Sequence, residues 1–238
     1  MIEWNNQSRF NSFNSYKGLT YYQNYKRIVS WLNRKSNYLP APIECNLDPM
    51  AECNNHCYFC ITQRYLRTNR AEVGEMRQLP LNYMHHLIDF LAEWGVRGLC
   101  ISGGGEPTLL KEMHGLPCYA KLKGMDVAVV TNATIMNDHL ADNLMLCRWV
   151  ALSVNAGDSE VYSRITGTDH FAKVLRNINR LAYLRQQMGS KVDLCFKFLL
   201  LPDNVQSIFR ACKLAKELGV QDFHVRPVDF ERSDIEGH

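Results

Sequence analysis

The sequence predicts an α/β fold: a partial (β/α)6 barrel of parallel strands with an N-terminal arm. Three observations predict it. Short β-rich runs alternate with longer stretches whose apolar residues recur every three or four positions. The connections are short, as right-handed crossovers between parallel strands require. The runs themselves are two-faced, one side apolar and the other polar.

The strands are expected at Ile43–Asp48, Gly98–Ser102, Asp126–Asn132, Trp149–Asn155, Lys191–Leu200 and Asp222–Val228. Among the helices between them is Pro80–Trp94, where Met84, Leu87, Phe90, Leu91 and Trp94 are expected to share a face. In Asp169–Gln187 the shared face is Phe171, Val174, Leu175 and Ile178, and in Asn204–Leu218 it is Val205, Ile208, Phe209 and Cys212. Gly95 and Gly189 fall where helices should end, at positions suited to a left-handed cap.

A doubly wound sheet would show the same alternation, so the strand faces decide. Ala151, Ser153 and Asn155 oppose Val150, Leu152 and Val154; Asp193, Cys195 and Lys197 oppose Leu194, Phe196 and Phe198. His224 and Arg226 oppose Phe223 and Val225, and Glu44, Asn46 and Asp48 oppose Ile43, Cys45 and Leu47. A packed barrel interior is lined by branched apolar residues. A polar lining instead indicates a cavity for a charged or hydrogen-bonding ligand, or else half-exposed edge strands.

Residues 1 to 41 read as the arm, too aromatic at Tyr21, Tyr22, Tyr25, Trp31 and Leu32 for a free tail. Residues 42–230 read as the barrel core and 231–238 as a tail, either the end of the protein or a truncation before a further domain. The 238 residues suffice for a full core. No apolar run is long enough to cross a bilayer, and the first residues do not read as a secretion signal, so a cytoplasmic location is expected. A formal charge of +3 falls well short of the basic field that would indicate nucleic acid.

Nine cysteines, three of them within eight residues, favour metal or redox chemistry over disulfides. In CNNHCYFC, directly after the first strand, Cys53, Cys57 and Cys60 can bind three corners of an iron–sulfur cube and leave one iron open. Zinc with His56 or Cys45 as fourth ligand is the alternative, although no second paired knuckle exists. Directly after the second strand comes GGGEPT, Gly103 to Thr108, whose glycines let backbone approach a ligand closely. It has neither the lysine of a P-loop nor the spacing of a dinucleotide loop.

CxxxCxxC after the first strand and GGEP after the second, on successive βα units, resemble the radical S-adenosylmethionine (SAM) enzymes over about residues 43 to 228. The resemblance implies that Cys53, Cys57 and Cys60 hold a [4Fe–4S] cluster whose open iron is chelated by SAM. It implies further that Phe59 borders the adenine and that Gly104, Gly105 and Glu106 receive the methionine amino group. By the same likeness Ser153 and Asn155 contact the ribose and carboxylate, while Asn132 and Arg226 add SAM or substrate contacts. The implied chemistry is reductive cleavage of SAM to a 5′-deoxyadenosyl radical that abstracts a hydrogen atom from a substrate, with electrons from a donor such as a flavodoxin or ferredoxin.

Asp193, Cys195 and Lys197, with His224 beside them on the sixth strand, are expected across the cavity from the cysteines, facing the substrate carbon. Lys197 needs a ligand anion or Asp193 to compensate it, and Cys195 either donates a hydrogen atom or packs. Arg64 and Arg67 could anchor an anionic substrate. Three functions follow: action on a peptide, protein or other bulky substrate; action on a small metabolite or nucleotide; or a non-catalytic iron–sulfur or zinc module that binds a partner.

Overall fold

The computed structural model describes residues 22–63 and 77–228. Arg64, Arg67, Tyr21 and the 231–238 tail lie outside the described residues. Six parallel strands form one sheet in sequence order: β1 (Glu44–Leu47), β2 (Gly98–Ile101), β3 (Asp126–Thr131), β4 (Trp149–Ser153), β5 (Asp193–Leu200) and β6 (Asp222–Pro227). Consecutive order with every pair parallel is the arrangement of a partial barrel, since each crossover advances the sheet by one strand in the same sense. The barrel reading of the strand faces therefore holds over the doubly wound one.

Helix α1 (Tyr22–Leu32) precedes the sheet. The others are α2 (Leu81–Trp94), α3 (Leu116–Leu122), α4 (Asp138–Leu144), α5 (Ser159–Thr166), α6 (Phe171–Gln187) and α7 (Ile208–Glu217). The core lies between them and the outer strand faces, with Leu99, Val127, Val150, Leu152, Phe196 and Phe198 packed against Met84, Ile88, Leu140, Ile178 and Ala211. Gly95 and Gly189 take φ of 105° and 60°, as helix-ending glycines should.

Three readings of the sequence need correction. The arm shows no helical period, yet Tyr22–Leu32 is a helix, and Tyr22, Tyr25, Trp31 and Leu32 remain exposed. On α2 the buried face is Met84, Ile88 and Leu91, leaving Leu87, Phe90 and Trp94 exposed; the helix is apolar on two sides and the sheet takes only one. On α7 the buried residues are Ala211 and Ala215, while Phe209 is 80% exposed and Cys212 points outward. Small alanines let α7 sit close to the sheet, where a phenylalanine would hold it off.

The inner face is graded rather than uniformly polar. Charged Glu44, Asp126 and Asp193 stand at the N-terminal ends of their strands. Small Ala128, Ala151 and Cys195, buried but outside the main core, fill the middle. Ser153, Lys197 and His224 form the polar rim toward the C-terminal ends, where the functional loops leave the sheet.

Candidate functional site

The loop after β1 carries Cys53, Cys57 and Cys60, all half-buried and none in a disulfide. Its shape is fixed from several sides. The Cys60 N–H donates to the Cys57 carbonyl at 3.1 Å, closing a turn, and the His56 N–H donates to the Thr166 carbonyl of α5 at 2.7 Å. Tyr58 Oη donates to Asp203 Oδ2 at 2.6 Å, tying the loop to the segment after β5. Asn55, buried, reaches Tyr162 Oη with its Nδ2.

Cys53 has two N–H donors on its sulfur. Its Sγ accepts from the Asn55 N–H at 3.4 Å and from Asn132 Nδ2 at 3.8 Å. Burial first, then the Glu106 and Cys60 charges, push its thiol up, and the two N–H donors pull it back down. Such donors stabilise a thiolate ligand by spreading its charge. Among the described residues no three His, Cys, Asp or Glu side chains enclose a point that a single metal ion could occupy. Three thiols on one loop, with two N–H donors on the Cys53 sulfur, match the donor set of an iron–sulfur cluster. Cys45, the alternative zinc ligand, packs instead against the core on the helix side, with its thiol pushed up by burial.

The GGGEPT loop is stitched to this one by backbone. The Gly105 N–H donates to the Met50 carbonyl at 3.0 Å and the Glu106 N–H to the Glu52 carbonyl at 2.7 Å. A Cβ on Gly105 would meet the Glu52 backbone, its N at 2.6 Å and its C at 2.7 Å, and one on Gly104 would meet Thr62 Cγ2. These glycines are required by the cysteine loop lying against them, a reason that the motif alone did not reveal.

Glu106 is 3% exposed and its carboxylate accepts four hydrogen bonds: from the Thr108 N–H at 3.1 Å, from Thr108 Oγ1 and Thr131 Oγ1 at 2.6 Å each, and from the Asn132 N–H at 2.6 Å. Burial pushes this carboxyl up and the four donors oppose it. Its side chain thus holds the loops after β2 and β3 together. Asn132 belongs to the same network. Its Nδ2 donates to Asn54 Oδ1 at 2.9 Å as well as approaching Cys53, and its Oδ1 accepts from Thr134 N–H and Oγ1. Sequence reasoning missed Asn54, Thr131 and Thr134, which complete this network; the TNAT turn after β3 was the only trace of it.

Asn155 takes φ of 60°, and its Oδ1 accepts the Leu199 N–H at 2.8 Å, so it joins the end of β4 to β5. Ser153, half-buried, pairs in register with Lys197 and faces the same side. Phe59 packs edge-on against Tyr58 with ring centroids 5.6 Å apart and rests partly on the core.

The structure separates the three expected substrate residues. Asp193, at the start of β5, lines a cleft of about 370 Å³ at the N-terminal ends of the strands with Lys121, Asp126 and Arg148. Lys197 is four residues further on, roughly 13 Å along an extended strand, and Asp193 is not among the groups acting on its ammonium. Pairing with Asp193, one of the two compensations expected for Lys197, is therefore overturned. Cys195 is 1% exposed, its sulfur engaged by the Trp149 side chain and the His224 backbone, and burial with Asp222 pushes its thiol up to about 12. His224 and Arg226 are exposed on β6.

Comparison with known proteins gives the family and the fold. The Radical SAM superfamily model matches residues 47–186, more than half of the chain. GTP 3',8-cyclase of Haemophilus influenzae (strain PittEE) is 29% identical over 157 residues, 65% of this chain and 43% of that protein. Streptococcus suis SuiB bound to S-adenosylmethionine has a similar fold, with TM-score 0.67 and 19% identity over 90% of this chain and 46% of that one. SuiB bound to its precursor peptide SuiA gives TM-score 0.66 and 19% identity, covering 96% and 48%. The chain thus spans less than half the length of these relatives.

Proposed function

Because this chain belongs to the radical SAM superfamily, a family of enzymes, we propose that Cys53, Cys57 and Cys60 hold a [4Fe–4S] cluster and that SAM binds beside it over the strand ends. When bound, the two groups together supply a 5′-deoxyadenosyl radical that takes a hydrogen atom from the substrate.

The chain's own residues do the positioning. Asn55 and Asn132 donate to the Cys53 sulfur, and Glu106 fixes Asn132 from below. The Ser153 hydroxyl, on the inner face beside Lys197, would meet the ribose or carboxylate, and Phe59 stands in the cysteine loop. The covered thiol of Cys195 favours its packing role. A flavodoxin or ferredoxin would deliver the electron, in a reducing compartment such as the cytoplasm; no described helix is long and apolar enough to cross a membrane.

The observation that carries this reading is the Asn132 bridge, which places an N–H donor on Cys53 while linking the cysteine loop to the two neighbouring loops. The exposed β6 edge supports a peptide or other bulky substrate entering at the strand ends, and SuiB, whose fold is similar, is known bound to a peptide. A small metabolite or nucleotide is the second reading, favoured by the basic residues of β5 and β6. A non-catalytic module would have no use for a polar rim facing the cysteines. The test is anaerobic reconstitution with iron and sulfide, reduction with dithionite and addition of SAM. The expected product is 5′-deoxyadenosine; SAM left intact by a fully loaded, reduced protein would overturn the reading.

A further inference from the structure

Three basic side chains adjoin on the inner face of β5 and β6. Lys197 and His224 are register partners, and Arg226 lies two residues beyond His224, on the same side of its strand. Lys197 is paired on its other side with Ser153. One step past the paired Thr131 and Leu152, Asn132 occupies the same height on β3 and touches Cys53. With strands about 4.8 Å apart, Lys197 stands roughly 10 Å across the sheet from Asn132, and Arg226 roughly 7 Å along β6 from His224. This layer runs from the cysteine loop to the basic wall within the length of a small substrate.

The positive groups of the wall act on one another. Burial and then Arg226 push the Lys197 ammonium down, and burial, Lys197 and Arg226 push His224 down. No carboxylate is among the groups acting on either, among the described residues. The Lys197 Nζ lies 6.0 Å from the centroid of the Trp149 ring, a contact that eases burial without neutralising the charge. Lys197 is half-buried while His224 and Arg226 are exposed beside it, and an anion joining the three would offset the cost of the Lys197 ammonium. A carboxylate brings one negative charge. A phosphate ester brings about −1.5 to −2, with three acceptor oxygens for three donors.

Resting on the reading of the site as one that generates a radical, we propose that Lys197, His224 and Arg226 bind the phosphate of a phosphorylated substrate and so turn a C–H bond of that substrate toward the cysteine loop. The carboxylate of SAM is the competing anion, and the test separates the two.

Inorganic pyrophosphate is titrated by calorimetry into the anaerobically reconstituted protein saturated with SAM, at fixed ionic strength, with succinate as the carboxylate comparison. One saturable site is expected, at least tenfold weaker in Lys197→Met and in Arg226→Gln, retained in Lys197→Arg, and far weaker for succinate. Arg226 is exposed, so its variant carries the test if Lys197→Met does not fold. Absence of saturable binding, equal binding in the variants, equal binding of succinate, or displacement of pyrophosphate by SAM would each overturn the proposal. Reductive cleavage of SAM by the unmodified protein reports separately on the radical reading, so failure of one is not mistaken for failure of the other.

Discussion

The carboxylate of Glu106 accepts the backbone N–H of Asn132 at 2.6 Å, joining the loop after β2 to the loop after β3 directly beneath Cys53. All four donors around that carboxylate point at it. Glu106→Gln keeps the shape but brings an NH2 group against an N–H or hydroxyl donor. The expected cost is about 1–3 kcal/mol of stability, read by urea denaturation of the metal-free protein, with faster loss of iron from the reconstituted one. Unchanged stability would mean that the network is not ionic.

The two motif glycines should respond differently. Gly105→Ala drives a methyl into the Glu52 backbone, which can yield only by moving the cysteine loop. Reconstitution should then give little bound iron. Gly104→Ala meets only the methyl of Thr62, so Thr62→Ser should restore iron binding in the double variant. Equal damage from both glycine substitutions, without rescue, would contradict this division.

Asn155 combines a left-handed backbone with a hydrogen bond to Leu199. Asn155→Gly loses the bond but relaxes the backbone, whereas Asn155→Ala loses the bond and adds left-handed strain of about 1–2 kcal/mol. Thermal unfolding should therefore rank wild type above Gly and Gly above Ala. A SAM affinity that falls more than stability does would support the expected contact of Asn155 with SAM, and an unchanged affinity would remove it.

The basic wall has a pH signature. His224, held below its ordinary value, is largely neutral at pH 7, and a bound anion raises it. Binding then takes up a proton, so pyrophosphate affinity should rise as pH falls from about 8 to 6. The facing groups are Lys197, Arg226, Cys195 and Asp222; the Cys195 thiol, pushed up to about 12, keeps its proton throughout. Comparison with His224→Gln cancels the titration of the ligand, and parallel pH curves for the two proteins would refute the assignment.

The strands and the three cysteines were legible because their signals are local: alternation within six residues, and spacing within eight. The duties of Asn132 and Asn155 were not, since their partners Glu106, Cys53 and Leu199 come from other βα units and meet only in the folded sheet. Gly105 shows both cases. Its motif is visible in the sequence, but the reason for it, Glu52 lying against it, is tertiary. The faces of α2 and α7 were misread because Phe90 and Phe209 promise more burial than smaller Ile88 and Ala211, and close packing on the sheet favoured the latter. Asp193 and Lys197 share a strand face, yet length along the strand puts them at opposite ends of the barrel.

The most direct measurement is iron and acid-labile sulfide per chain after anaerobic reconstitution, in the wild type and in the Cys53→Ala, Cys57→Ala, Cys60→Ala triple variant, with circular dichroism as the check on folding. About four irons and four sulfides are predicted for the wild type, and none for a triple variant that keeps its helical spectrum. One zinc per chain, or iron retained without the three thiols, would contradict the account.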